Sequence, residues 1–215
     1  MDTSRSEKVF NLAGSLLRHP SHVPRWLAQL PCWGRSPVDL QLPWFSYGAI
    51  DYLARAVQPA HSVFEFGSGG SSFFLARRAH SVRSVENDAA WHQVVTEKAA
   101  ARGVTNLQCE LHAFGDAEAA HYAGLSYFRA LAGHTYDIVV VDGFCGYTTG
   151  RYGALRPHAF ALALEAVRRP GGMIVVDDYW MYPELTTRAP GAKVHVFEST
   201  GPCRYGVTST AVFQF

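Results

Sequence analysis

Runs of apolar residues alternate along this chain with segments in which apolar residues have helical spacing. Two of the runs, 136–143 and 173–178, are nearly continuous in hydrophobic residues. The first ends in an aspartate and a glycine, and the second ends in two aspartates. Such runs are typical of strands that are buried on both faces of a sheet. Strands and helices that alternate in this order predict an α/β protein with a parallel sheet and helices on both faces.

The segment before residue 59 has a different pattern. Helices are predicted over 8–18 and 46–57, and the stretch 31–45 between them is irregular, with prolines among aromatic residues. We interpret 1–58 as an N-terminal helical and irregular cap segment, and 59–215 as the domain that carries the site. The aromatic residues of 31–45 are candidates for lining a cleft or for a homodimer contact, although packing onto the domain is the better account of most of them.

Composition narrows the classes of protein to consider. The chain has 215 residues, of which 48% are hydrophobic and 17% charged, so a folded domain with a sizeable core is expected. The net charge of +1 without a block of Lys and Arg argues against a nucleic-acid partner. No apolar run is long enough to span a bilayer, and the polar N-terminus lacks a signal-peptide core. We expect a soluble, cytoplasmic protein without a membrane partner.

The stretch 63–72 combines the end of a strand, a glycine-rich turn and the start of a helix. The strand ends at Glu65, three glycines lie within 67–70, and Ser71 can cap the helix. Glycine lets a ligand approach the backbone closely. A helix N-terminus adds free N–H groups and a partial positive charge. We predict that a cofactor binds at this turn.

Acidic side chains recur at the ends of the predicted strands. They are Glu65, Glu86, Asp142, Asp177 and Asp178, and His112 follows the third strand. The carboxyl ends of parallel strands meet at one edge of a sheet, where ligands bind. A single Asp after a strand is usually a cap or turn residue, but the set as a whole favours a binding site at this edge.

The spacing between Gly67 and Glu86 indicates the kind of cofactor. Glu86 follows by 19 residues, the distance at which a second strand brings a carboxylate within reach of ribose hydroxyls. An adenosine-containing cofactor is therefore expected. Residue 72 is Ser rather than the third glycine of a dinucleotide fingerprint, which makes a nicotinamide dinucleotide a weaker candidate for the cofactor. No phosphate-loop lysine is present to favour ATP.

Taken together, these motifs resemble those of class I S-adenosylmethionine-dependent methyltransferases over about residues 60–215. The motifs are Glu65-Phe-Gly-Ser-Gly-Gly, Glu86 and the strand ends at 137–143 and 171–178. The resemblance implies a Rossmann-like, seven-stranded, mostly parallel sheet with an antiparallel C-terminal strand pair and helices on both faces. It also implies S-adenosylmethionine as the cofactor, held by Glu65, Gly67, Ser68, Gly69, Glu86, Asn87, His112 and Asp142.

The trio Asp142, Asp177 and Asp178 is similar to the magnesium ligands of catechol-type and sugar-type O-methyltransferases. Mg²⁺ prefers oxygen ligands, and a hydroxyl bound to it loses its proton more readily. The resemblance thus implies these three carboxylates as metal ligands. In the alternative interpretation no metal binds: Asp178 caps the next turn and Asp142 contacts the amine of the cofactor.

The function implied by the resemblance is transfer of a methyl group to a hydroxyl of a small molecule, with or without Mg²⁺. Candidate bases for the hydroxyl proton are Asp142, Asp177 and His158. The Asn/Asp-Pro-Pro-Tyr motif of nucleic-acid amino-methyltransferases is absent, since 142–145 reads Asp-Gly-Phe-Cys. Two alternatives stay open: an NAD(P)-dependent oxidoreductase of Rossmann type, and a non-catalytic module that only binds a cofactor.

Overall fold

One central sheet organises the protein. The computed structural model describes residues 5–32, 34–115, 122–143 and 155–215. Within these ranges the strands are β1 (Ser62–Phe66), β2 (Ser81–Glu86), β3 (Leu107–Leu111), β4 (Ile138–Val141), β5 (Met173–Asp177), β6 (Lys193–Ser199) and β7 (Thr208–Gln214). They lie in the order β3-β2-β1-β4-β5-β7-β6.

The direction of the strands agrees with the sequence-based prediction. Strands β1 to β5 pair in parallel, and β7 pairs antiparallel with both β5 and β6. Every residue of β4 and β5 is buried, as their continuous apolar runs indicate. The predicted seven-stranded, mostly parallel sheet with an antiparallel C-terminal pair is confirmed.

The described helices connect and cover these strands. They are α1 (Arg5–Arg18), α2 (His22–Ala28), α3 (Pro37–Leu40), α4 (Tyr47–Ala56), α5 (Gly70–Ala76), α6 (Ala89–Ala101), α7 (Ser126–Arg129), α8 (Leu155–Ala166) and α9 (Leu185–Arg188), with single 3₁₀ turns at Leu30–Cys32 and Tyr179–Met181. Local sequence fixes several starts: Ser46 caps α4, and Asp88 caps α6 by accepting a hydrogen bond from the backbone N–H of Trp91 at 2.8 Å. None of the described helices has the length and apolar character needed to cross a membrane.

Helices cover both faces of the sheet, as predicted. On one face, Phe160 of α8 packs in a cluster with Phe64 and Val176 from the strands. On the other face, Ile50 of α4 and Phe74 of α5 pack against strand residues such as those of β4. The N-terminal segment therefore shares the core of the 59–215 domain rather than standing apart from it.

The first helix differs from its predicted orientation. The sequence pattern places Val9, Phe10, Ala13, Leu16 and Leu17 on one side of the helix, but Val9, Phe10 and Leu17 are 52%, 79% and 82% exposed. The buried residues are Leu12 and Ser15, and the Ser15 hydroxyl accepts a hydrogen bond from the backbone N–H of residue 200 at 3.0 Å. A polar contact to the loop after β6 thus orients α1 and leaves Val9, Phe10 and Leu17 largely exposed.

The N-terminal segment crosses directly over the first residue of α5. A Cβ atom built on Gly70 would overlap the carbonyl oxygen of Leu42 and lie 2.5 Å from that of Pro37. Both obstacles are backbone atoms, which cannot rotate away. Glycine at this position lets residues 37–42 rest on the glycine turn, and this contact positions the wall of the site.

Substitution of Gly70 by Ala should therefore loosen this docking. We expect the free energy of unfolding of Gly70→Ala to fall by about 1–3 kcal/mol, the usual cost of overpacking a closely packed site. Chemical denaturation measures the change. The matched control is Gly14→Ala in α1, where no atom lies within 4 Å of the added methyl group. That variant should gain up to about 1 kcal/mol from helix propensity. Equal stability of the two variants would contradict the contact.

Candidate active site

The turn after β1 lies against the turn after β4. Gly67 has a φ of 85°, a conformation that favours glycine. A Cβ atom on this residue would lie 2.6 Å from the Cα atom of Gly143. Two glycines in contact thus bring the end of β1 next to Asp142 at the end of β4. The sequence predicts both turns, and the structure places them side by side.

Ser68, at the centre of the glycine turn, is held on three sides. Its backbone N–H and its hydroxyl donate to Glu86 Oε2 at 2.9 and 2.8 Å, and its carbonyl accepts from the indole N–H of Trp91 at 2.7 Å. Glu86 Oε1 accepts from the backbone N–H groups of Asn87 and Asp88 at 2.9 and 3.0 Å. Both oxygens of this buried carboxylate are therefore satisfied. Sequence analysis missed Trp91 as a site residue because its helical spacing marked it only as core.

The end of β3 joins the same group. The backbone N–H of His112 donates to the carbonyl of Glu86 at 2.8 Å. The ring nitrogen Nε2 of His112 lies 3.3 Å from Glu110 Oε2. The side-chain amide of Asn87 donates to the carbonyl of Phe114 at 3.3 Å. The structure thus places the predicted cofactor residues from the ends of β1, β2 and β3 at one edge of the sheet. That they bind a cofactor remains a prediction.

Glu65 lies fully buried behind the turn. Its Oε2 accepts from the hydroxyls of Ser72 and Ser84 at 2.5 and 2.8 Å, while no described residue partners Oε1. Ser72 Oγ also accepts from the backbone N–H of Gly69 at 3.0 Å, which links Glu65 to the turn. Burial raises the pKa of Glu65 to about 7, because desolvation of the carboxylate outweighs the serine hydrogen bonds.

The three aspartates that follow β4 and β5 converge, but an arginine lies among them. Arg156, the second residue of α8, is 7% exposed. Its Nη2 lies 3.2 Å from Asp142 Oδ1, and its Nη1 lies 3.4 Å from Asp178 Oδ2. Sequence analysis missed Arg156. The signal available was a charged residue at the start of the mostly apolar stretch 155–164.

These contacts determine whether the three aspartates could bind a metal ion. Asp177 accepts a hydrogen bond from Thr210 at 2.9 Å, and burial together with the charges of Asp142 and Asp178 raises its pKa well above the usual range. This environment favours the protonated form of Asp177 over the charged form. Among the described residues, no group of three His, Cys, Asp or Glu side chains could hold a metal ion. As arranged, the residues do not fit the implied magnesium site.

His158, the third candidate base, lies in an aromatic cluster. Its ring centroid is 5.0 Å from those of both Tyr122 and Phe128. Burial lowers its pKa, so the ring is neutral at pH 7. No contact in the described ranges joins it to the three aspartates, and its role as a base stays a prediction. The segment 144–156, rich in Gly, Tyr, Thr and Arg, is predicted from its sequence to be a loop, and residues 144–154 lie outside the described ranges.

A cavity of about 680 Å³ lies at this edge of the sheet, within the usual size range of small-molecule sites. Its lining comes from the glycine turn, the N-terminal segment and three further positions: Gly34, Arg35, Ser36, Pro37, Trp44, Ser68, Gly69, Gly70, Ser71, Trp91, Asp142 and Cys203. The expectation that an aromatic residue of 31–45 lines a cleft holds for Trp44. Sequence analysis gave no reason to select Arg35 or Cys203.

The raised pKa of Glu65 predicts a pH dependence of stability. Between its ordinary value of 4.5 and about 7, the folded state binds a proton that the unfolded state has released. The Glu65 contribution to stability is thus fully present below pH 4.5 and is lost as the pH rises through about 7. We expect Glu65→Gln to reduce this fall in the free energy of unfolding, measured by urea denaturation across the window. The exposed Glu97→Gln is the control, and an unchanged slope in Glu65→Gln would contradict the assignment.

The chain matches known proteins by structure but not by sequence. No family model matches the chain, and no curated protein matches it by sequence. Solved structures do match. The O-methyltransferase TomG of Streptomyces achromogenes, involved in tomaymycin synthesis and solved with S-adenosylmethionine, is 18% identical with a TM-score of 0.57, over 82% of this chain and 85% of that one. An O-methyltransferase of Bacillus cereus, solved with S-adenosylhomocysteine, is 16% identical with a TM-score of 0.56, over 83% and 87%.

Proteins with other acceptors share the same architecture. An rRNA methylase of Streptococcus thermophilus is 14% identical with a TM-score of 0.52, over 79% of this chain and 95% of that one. Identities this low establish the shared fold and leave the acceptor open. The resemblance seen in the sequence motifs is thus confirmed for the architecture: the chain has the fold of the class I S-adenosylmethionine-dependent methyltransferases.

Proposed function

We propose that this chain is an S-adenosylmethionine-dependent methyltransferase that methylates a hydroxyl group of a small molecule. The observation that carries the proposal is the composition of the cavity wall. One part of the wall is the glycine turn, another part is the N-terminal segment with Trp44, and Asp142 lies in the same lining. One cavity can therefore hold a cofactor at the turn and an acceptor beside it.

The residues of the glycine turn fit the cofactor. Ser68, Gly69, Gly70 and Ser71 line the cavity with little side-chain bulk, and Glu86 lies directly behind Ser68. Glu86 would accept a ribose hydroxyl in place of the Ser68 hydroxyl that now donates to Oε2, and the turn would hold the methionine part through its backbone. When bound, S-adenosylmethionine supplies the electrophilic methyl group of its sulfonium. The chain itself contributes mainly by orienting the two reactants.

Size and charge support a small acceptor. A volume of about 680 Å³ must contain the cofactor as well as the acceptor group, and residues 34–37 and Trp44 form part of its wall. A net charge of +1 gives little general attraction for a nucleic-acid backbone. This chain shares its fold with an rRNA methylase, but its charge pattern is not suited to RNA.

Asp142 is the candidate proton acceptor. It lines the cavity, and both hydrogen bonds that it receives from described residues, from Gly143 and Arg156, are made to Oδ1. Its Oδ2 can then take the proton of an acceptor hydroxyl as the oxygen attacks the methyl group. Asp177, buried and hydrogen-bonded to Thr210, is not proposed for this role. No step is assigned to Mg²⁺.

A titration with cofactors separates the proposal from its rivals. Isothermal titration calorimetry with S-adenosylhomocysteine and with NAD(P) should show binding of the former and none of the latter. The reverse result would favour a Rossmann-type oxidoreductase. Binding of S-adenosylhomocysteine without methyl transfer to any compound of a broad hydroxylated panel would favour a non-catalytic module.

Glu86 should determine cofactor affinity. Replacing it by Gln puts an amide donor where the carboxylate accepts from Ser68 and would accept from ribose. We expect S-adenosylhomocysteine to bind about 10–100-fold more weakly to Glu86→Gln, as loss of charged hydrogen bonds implies. The same titration with Glu97→Gln, on the exposed face of α6, should give the wild-type affinity. Unchanged binding in both variants would remove Glu86 from the cofactor site.

Asp142 should act on the rate rather than on cofactor binding. Asp142→Asn keeps the size of the side chain but cannot take a proton, so kcat should fall by about 10²–10⁴-fold. The affinity for S-adenosylhomocysteine should change little. The control is Asp51→Asn, another aspartate paired with an arginine, whose partner Arg25 lies 2.6 Å away. If kcat survives in Asp142→Asn, a different group accepts the proton.

A further inference from the structure

All N–H groups of the Arg156 guanidinium donate hydrogen bonds to residues at the ends of β4 and β5. Nε donates to the carbonyl of Gly143 at 3.3 Å, and Nη2 donates to the same carbonyl at 3.1 Å and to Asp142 Oδ1 at 3.2 Å. Nη1 donates to the carbonyl of Asp177 at 2.8 Å and to Asp178 Oδ2 at 3.4 Å. A guanidinium has five N–H donors, and these contacts use all of them.

This environment resembles a cation site in its composition. Carboxylate and carbonyl oxygens from the ends of β4 and β5 surround one positive group that is 7% exposed. A buried arginine needs such partners, because removal of its charge from water is costly. Since all of its donors are used inside the protein, Arg156 is unsuited to direct contact with an acceptor.

We propose that the guanidinium of Arg156 is the built-in cation of this site and takes the place between Asp142 and Asp178 where a divalent ion would otherwise bind. Arg156 is then a positioning residue. It holds Asp142 through Oδ1 and leaves Oδ2 to take the proton of the acceptor. This role rests on the methyl transfer proposed above, whereas the exclusion of a divalent ion does not.

Of the four carboxylate oxygens of Asp142 and Asp178, only Asp142 Oδ2 has no hydrogen bond to a described residue. An ion between Asp142 and Asp178 would lie beside the guanidinium, and charges of like sign at that distance repel strongly. The remaining oxygen of Asp178, Oδ1, already accepts from the hydroxyl of Thr208 at 3.1 Å. Mg²⁺ requires nearly octahedral oxygen coordination, which these engaged oxygens do not offer.

Binding of Mn²⁺, followed by electron paramagnetic resonance, tests the exclusion without an acceptor. Wild-type protein should show no bound Mn²⁺ up to millimolar concentration. Arg156→Gln removes the cation and leaves the carboxylates facing one another, so it should bind Mn²⁺ at least about tenfold more tightly than the wild type. Arg156→Lys keeps a positive charge and should behave like the wild type. A wild-type Mn²⁺ site that disappears in Asp178→Asn would overturn the proposal.

The same proteins should be titrated with S-adenosylhomocysteine in the presence of EDTA and in the presence of Mg²⁺. Equal affinities in the two conditions are expected for the wild type. If the wild type fails to bind S-adenosylhomocysteine at all, the proposed function fails, while the Mn²⁺ result still decides on the built-in cation. If Arg156→Gln does not fold, the wild type, Arg156→Lys and Asp178→Asn supply the deciding comparison.

With an acceptor in hand, the positioning role has its own readout. Arg156→Lys should retain more of the wild-type kcat than Arg156→Gln, with KM for the cofactor similar in both. EDTA should leave the wild-type rate unchanged. A wild-type rate that falls with EDTA and returns with Mg²⁺ would contradict the proposal.

Discussion

Buried carboxylates at one edge of the sheet must each be neutralised or hydrogen-bonded, and the site is built around this requirement. An isolated ionised carboxylate away from water is too costly to persist. Glu65 meets the requirement by a raised pKa and two serine hydroxyls. Glu86 meets it with four donors, and Asp142 meets it through Arg156. Each solution also ties one strand end to its neighbour.

The N-terminal segment turns this edge into an enclosed cavity. Residues 37–42 rest on the glycine at the start of α5, and Trp44 lines the same cavity as the turn. The segment is held by packing of α4 against the sheet, in which Ile50 and Leu53 share a cluster with strand residues. The part of the chain with the least regular sequence thus gives the cavity much of its wall.

The sequence was sufficient for the sheet and for the acidic edge, because both follow from short-range patterns. The continuous apolar runs of β4 and β5 predict buried strands, and the acids that follow them predict a shared edge. Arg156 could not be found in this way, since its contacts depend on how α8 packs onto the ends of two strands. For the same reason, the periodicity of α1 gave an apolar side but not the polar contact of Ser15 that orients the helix.

Trp91 gives the cavity an intrinsic optical reporter. Its indole N–H is bonded to the carbonyl of Ser68, and the same residue lines the cavity wall. Of the tryptophans that the structure describes, Trp44 and Trp91 are the two in that lining. Any molecule that enters beside the turn changes the polarity around these rings, so quenching or a spectral shift of tryptophan emission would signal occupancy before its chemical identity is known.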